Sequence, residues 1–278
     1  MAPAQSSGHS RDSDLIRDAG VTALDPIWDA VRSEARVAAE QEPTLGGFIF
    51  GTVSCSGTLD DAIIHRVAQR LDSRDVDAGT LQRAFRDLLD RNATIGRAFR
   101  ADLAAVFDRD PACSRYLEPL LYFKGFHALV THRFAHTLWS QGRRDFALFL
   151  QSQASRVFTI DIHPAAKIGI GIMLDHGHGL VFGETSEIGD NVSILHGVTL
   201  GGTGKAGGDR HPKIGDNVLI GAGAEVLGNI RIGSCSRIAA GSVVLKDVPP
   251  CKTVAGVPAV IIGDAGCPEP ARTMEQRF

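Results

Sequence analysis

Between residues 162 and 248 an aliphatic side chain returns at every sixth position. The row reads Ile162, Ile168, Leu174 and Leu180, slips by two residues, and continues at Ile188, Ile194 and Leu200. After a longer interruption it resumes at Ile214, Ile220, Val226, Ile232, Ile238 and Val244. Glycine often follows the aliphatic (Gly169, Gly189, Gly215, Gly221, Gly233), and a small or branched residue stands four after it (Ala166, Ile172, Val192, Val198, Val218, Ala224). Neither a helix nor an alternating strand has this period. A six-residue unit cannot bury its own apolar face, so such units must stack on one another in a solenoid.

The preceding stretch, residues 21–158, is helical in character. Asp25 before Pro26 is a capping side chain ahead of a first-turn proline, and Trp28, Val31 and Ala35 follow at helical spacing. A break at Gly46-Gly47 precedes an apolar segment. Asp60-Asp61 opens a helix carrying Ile63, Ile64, Val67 and Leu71, and another runs from Thr80 through Phe85 to Leu89. A helix from Asp102 to Phe107 ends at Asp110-Pro111, because the residue before proline is pushed away from helical angles. One or two more helices fill residues 120–158, interrupted near Gly142. The expected fold class is therefore α+β, with a disordered leader over 1–20, an α-helical domain over 21–158, a solenoid domain over 159–262 and a C-terminal tail over 263–278.

Composition narrows the class. The 278 residues are 44% hydrophobic and 22% charged, with a formal net charge of −3, which suits a soluble enzyme. With no run of Lys or Arg, a nucleic-acid partner is not expected. No apolar stretch reaches membrane-spanning length, so no membrane partner is expected either. The first residues lack the apolar middle of a signal peptide. Five cysteines, an odd number without paired spacing, fit reduced thiols in a cytoplasmic protein.

A second layer of pattern lies over the first. Arg109-Asp110-Pro111, the run from Leu120 to Ala128, Gln141-Gly142-Arg143-Arg144 and Asp161-Ile162-His163-Pro164 come in that order. They are followed by Leu174-Asp175-His176, Gly183-Glu184-Thr185, Gly201-Gly202-Thr203-Gly204-Lys205, Gly208-Asp209-Arg210-His211-Pro212-Lys213 and Ala255-Gly256-Val257-Pro258-Ala259. The repeats resemble those of the hexapeptide-repeat acyltransferases, and the ordered motifs resemble bacterial serine O-acetyltransferase. That resemblance implies a left-handed parallel β-helix with three hexads per coil and an extruded loop. It further implies acetyl-CoA as co-substrate, L-serine as acceptor, O-acetyl-L-serine for cysteine biosynthesis as product, L-cysteine as inhibitor, and a homo-oligomer (trimer or dimer of trimers) with sites between subunits.

Acetylating a hydroxyl from a thioester requires a base near neutral pKa, a group to orient it, and counter-charges for an amino-acid zwitterion. His176 follows an inward aliphatic by two positions, which turns it outward, and it matches the family's general base. Asp161, about one coil earlier, is expected to stack beside His176 and orient it. Arg210 offers a planar fork for the serine carboxylate with His211 beside it; Asp110 and Asp175 are counter-charges for the ammonium. All four match family substrate positions. The glycine-rich interruption between Leu200 and Ile214 reads as a flap, and Gly202, Thr203, Ala222 and Ala240 match positions bordering the family's pantetheine groove. No P-loop is present around Gly204-Lys205.

His132 and His136, four apart on a helix, lack the Glu of a zinc protease and read as packing or surface residues. His163, His178 and His196 on the coils carry the alternative of a zinc hydratase of carbonic-anhydrase type, which needs three histidines converging on a metal. Another hexapeptide acetyltransferase and a non-catalytic scaffold are the remaining alternatives; the preferred reading assigns no metal. The chain ends Met274-Glu275-Gln276-Arg277-Phe278, where family members that dock into the cysteine synthase sulfhydrylase carry an extended tail closing in Ile, so that partner is not expected.

Overall fold

The computed structural model describes residues 25–204 and 207–276; the expected leader lies outside them. Helix α1 (Pro26–Gln41) starts as the sequence predicts, its cap Asp25 accepting the Trp28 amide at 3.2 Å. The Gly46-Gly47 pair is not a break: it opens a short helix, α2 (Gly46–Ile49), which runs on as one π-helical turn through Ser54. In α3 (Leu59–Leu71) Thr58 is the cap, placing Asp60 and Asp61 in the first turn. Asp77 caps α4 (Ala78–Arg91). The next helix, α5 (Thr94–Arg109), is longer than predicted and stops at Asp110 as expected. Helices α6 (Leu117–Leu121), α7 (Lys124–Ser140) and α8 (Arg144–Phe158) complete the bundle, and Gly142, with φ of 77°, turns the chain between the last two. None of these helices is long and apolar enough to cross a membrane.

The repeats form a parallel solenoid with three faces. One face stacks Ile160–Ile162, Leu180–Phe182, Thr199–Gly201, Glu225–Leu227 and Val243–Val244; the others gather the intervening two-residue strands. Inward aliphatics align rung on rung: Ile168, Ile188, Ile214 and Ile232 on a second face, Leu174, Ile194, Ile220, Ile238 and Val254 on the third. On the first face the row is Ile162, Phe182, Leu200, Val226 and Val244. The slip of two residues therefore falls before Phe182, not after Leu180 as the period suggested. Leu180 pairs with Ile160 and is also buried, which is why the sequence left the choice open.

A buried ion pair joins bundle to solenoid. Arg133 on α7 grips Asp102 on α5 at 2.7 and 2.9 Å and also donates to the Gly169 carbonyl at 2.8 Å, while Asp102 accepts the Ile172 amide at 3.0 Å. Burial raises the Asp102 pKa and the Arg133 charge opposes it. This clamp sets the C-terminal end of α5, and hence Asp110, over the first coil. Beyond the solenoid, strand Lys252–Gly256 pairs antiparallel with Ala259–Asp264, and a short helix, α9 (Pro270–Thr273), folds back. Ser193 donates to the Ala271 carbonyl at 2.8 Å, and Arg272 pairs with Asp108 at 2.9 Å.

Candidate active site

Later coils turn from the third face to the first with three residues between Ile194 and Val198, Ile220 and Ala224, and Ile238 and Ser242. The first coil uses five, residues 175–179, between Leu174 and Leu180. This is the two-residue slip, and it pushes out a corner in which His176, Gly177 and Gly179 all have positive φ. Only glycine fits at Gly177, since a Cβ there would lie 2.9 Å from the Gly125 Cα; a Cβ on Gly125 would in turn meet the Leu174 carbonyl oxygen at 2.1 Å. Two glycines thus let the start of α7 close on the corner.

His176 stands on this corner with its side chain 75% exposed, its Nε2 3.8 Å from Asp175 and its ring edge-on to His196 at 5.8 Å. It opens on a cleft of about 640 Å³ that Asp110, Phe123, Asp175, Met274 and Gln276 also line. Asp175 is half-buried; burial raises its pKa, the neighbouring His176 lowers it and the Asp110 charge raises it further. Two carboxylates beside an imidazole, with no arginine or lysine in ion-pair contact with either carboxylate among the described residues, suit an ammonium ligand.

A second cluster stands at the opposite edge of the first face. Arg210 pairs with Glu184 at 2.8 Å, which holds the Glu184 carboxyl below its usual range. His211 is buried, and its Nδ1 accepts the Thr185 amide at 3.2 Å and meets the Thr185 hydroxyl at 2.8 Å. The neutral ring therefore carries its proton on Nε2, which faces Gly183 and Gly202. Burial, then the Arg210 charge, lower the His211 pKa. His163 sits within electrostatic reach of Glu184, Asp161 and Arg210, its pKa lowered first by burial.

The predicted residues are thus divided. Asp110, Asp175 and His176 come together, and so do Arg210 and His211. Asp161 does not stack beside His176 within the chain: it lies mid-strand opposite Val181 and accepts from Gln151 at 2.6 Å. Asp161 pairs with Val181, twenty residues on, so His176, only fifteen after Asp161, lies at the corner before that row and not in it. Ala222 and Ala240 share the corner of His176 and His196, linked by Gly223 N–H to the His196 carbonyl and Gly241 N–H to the Ala222 carbonyl, both at 2.8 Å. Gly202 and Thr203 stand across the face, where the extruded loop leaves strand Thr199–Gly201.

Glu184 and Thr185 carry no predicted role, and His196 is predicted only as a ligand of the zinc alternative. Glu184 and Thr185 lie in a quoted motif, but only the loop's return beside them reveals their use. His163 packs on Trp139 at 5.1 Å, His178 meets Thr159 and Lys124 at 3.1 and 3.2 Å, and His196 faces His176. These three histidines do not converge, and no metal-ligand set occurs among the described residues. The hydratase alternative is not favoured. His132 is buried and His136 bonds the Pro164 carbonyl, as packing residues should.

A helical cap on a hexapeptide solenoid with a histidine-bearing corner defines a hexapeptide-repeat transferase. Residues 27–131 match the family described as serine acetyltransferase, N-terminal, and residues 211–246 match the bacterial transferase hexapeptide. Serine acetyltransferase 4 of Arabidopsis thaliana is 51% identical over 94% of this chain and 74% of its own. A crystal structure of the Brucella abortus serine acetyltransferase with coenzyme A is 57% identical with a TM-score of 0.88, covering 90% of this chain and all of that one. A serine acetyltransferase solved in complex with cysteine is 47% identical with a TM-score of 0.89, covering 91% and 98%. The chain belongs to the serine acetyltransferase family.

Proposed function

We propose that this chain moves the acetyl group of acetyl-CoA to the hydroxyl of L-serine, with His176 as general base. The carrying observation is the widened corner that presents His176 and Asp175 to a cleft with Asp110. His176 takes the proton from the serine hydroxyl as its oxygen attacks the thioester carbonyl; the C–O bond forms, the C–S bond breaks, and the proton passes to the CoA sulfur. The serine ammonium lies between Asp110 and Asp175 and relieves their mutual repulsion. Its carboxylate takes the Arg210 fork, displacing Glu184, and accepts the Nε2 proton of His211.

These roles require clusters that stand at opposite edges of one face. A site shared between copies of the chain resolves this: one copy supplies Asp110, Asp175 and His176, and the next supplies Arg210, His211 and Asp161, the last orienting the imidazole. Ala222 and Ala240 of one edge and Gly202 and Thr203 of the other then flank the pantetheine arm, their small side chains leaving room for it. A trimer, or a dimer of trimers, provides this arrangement, and a cytoplasmic location suits the reduced thiols. L-Cysteine carries the same zwitterion as serine and competes for it.

Replacing His176 tests the reading. His176→Ala is expected to lower kcat by about 10²- to 10⁴-fold, the range general-base catalysis supplies, with acetyl-CoA binding retained. An unimpaired turnover number in a thiol-release assay with serine and acetyl-CoA would remove His176 from the role.

A further inference from the structure

Along the corner between the second and third faces, Gly171, Asn191, Asn217, Cys235 and Cys251 stand on successive rungs with φ between 56° and 70°. Backbone hydrogen bonds join each turn to the one before it: Asn191 N–H to Ile170, Asn217 N–H to Asp190, Cys235 N–H to Asp216 and Cys251 N–H to Ser234, at 2.8 to 2.9 Å. The left-handed region is the province of Gly and Asn, whose use in the upper rungs is what geometry requires. Two cysteines in succession there run against backbone preference, and packing gives them no compensation, since Cys251 is exposed and Cys235 only half-buried.

Their positions do suit a covalent link. Adjacent rungs in register are about 4.7–4.9 Å apart. That falls within the Cα separations of about 4.4–6.8 Å that disulfides span. The rungs are in register, Arg237 pairing with Thr253 two residues further on, and burial followed by the Cys251 neighbour raises the Cys235 pKa. Cys267, at the root of the segment leading to α9, is the third thiol near Cys235, its sulfur 3.6 Å from the Thr273 hydroxyl.

We infer that Cys235 and Cys251 are a redox-active dithiol that closes to a disulfide by exchange with a small-molecule disulfide. The exposed Cys251 thiolate attacks one sulfur of that disulfide, forming a mixed disulfide and expelling the other half as a thiolate, which takes up the Cys251 proton. The Cys235 thiolate then attacks the Cys251 sulfur and expels the second half as a thiol. Two electrons leave the pair and reduce the small disulfide to two thiols.

The test uses the full, pre-reduced chain with oxidised glutathione as the probe, followed by intact-mass measurement and non-reducing peptide mapping. The expected product is a Cys235–Cys251 link that accounts for a loss of about 2 Da. The exposed and isolated Cys55 serves as the internal control, keeping any glutathione it acquires. Cys235→Ser should leave a persistent glutathionyl group on Cys251, and Cys251→Ser should abolish the link. A persistent adduct on Cys251 in the unsubstituted chain, or a link that joins Cys267 instead, would overturn the assignment.

Discussion

At the scale of single residues, the imidazole of His211 is held by what two neighbours lack. A Cβ on Gly183 would lie 2.0 Å from the ring, and one on Gly202 would lie 3.2 Å from its Nε2. Gly183→Ala must therefore push the ring off Thr185 and, in the proposed binding mode, take the Nε2 donor away from the serine carboxylate. A hydrogen bond to a charged group contributes about 1.5–3 kcal/mol, so the KM for serine should rise at least about tenfold while the KM for acetyl-CoA stays nearly constant. Steady-state kinetics with each substrate varied separately checks this; an unchanged serine KM would deny His211 a part in binding. His176 was legible in the sequence because its distance from Leu174 gives its direction. Glu184 was not, because its partner Arg210 is 26 positions away and returns only through the extruded loop.

At the scale of elements, the clamp between α5, α7 and the first coil can be broken by a single change. Asp102→Asn leaves the Arg133 guanidinium buried without its counter-charge. Breaking one partner of a buried pair costs about 3–5 kcal/mol, and denaturant unfolding should show a loss of that size. A loss below about 1 kcal/mol would mean the joint is not under load. Helix α7 also carries two buried neutral histidines. Burial pushes His127 down to about 3 and His132 well below its usual range. In the unfolded chain both take up a proton as pH falls through about 6.5, whereas in the fold they resist it. Unfolded protein therefore binds more protons across this window, and stability, complete above pH 6.5, falls on acidification by up to about 1.4 kcal/mol per pH unit for each histidine. His127→Gln should flatten the fall between pH 6.5 and 5; stability that stays level there in the unsubstituted chain would contradict the account. The solenoid period and several helices were readable from spacing; the helix that opens at Gly46-Gly47 was not, because paired glycines ordinarily break a helix. The place of the slip was not, since Leu180 and Phe182 are both inward and only the pairing of Ile162 with Phe182 decides it.

At the scale of the whole molecule, the proposed function assigns the two half-sites to different copies of the chain, and this can be tested without a structure of the assembly. Stacking puts Arg210 at one edge of the first face and His176 at the other, with Asp161 on the strand between them, so no bending of a single rigid solenoid unites Arg210 with His176. His176→Ala and Arg210→Ala should each be nearly inactive alone. If each site takes His176 from one copy and Arg210 from the next, mixing equal amounts of the two variants under conditions that exchange subunits restores some sites. A site is intact only when an Arg210→Ala copy supplies the histidine and a His176→Ala copy supplies the arginine. Random mixing in a cyclic assembly satisfies this at about one interface in four, so activity should return to roughly a quarter of the unsubstituted level. A mixture no more active than its two components would place both residues in one chain's own site and dismantle the shared-site proposal, while leaving the His176 assignment to its own kinetic test.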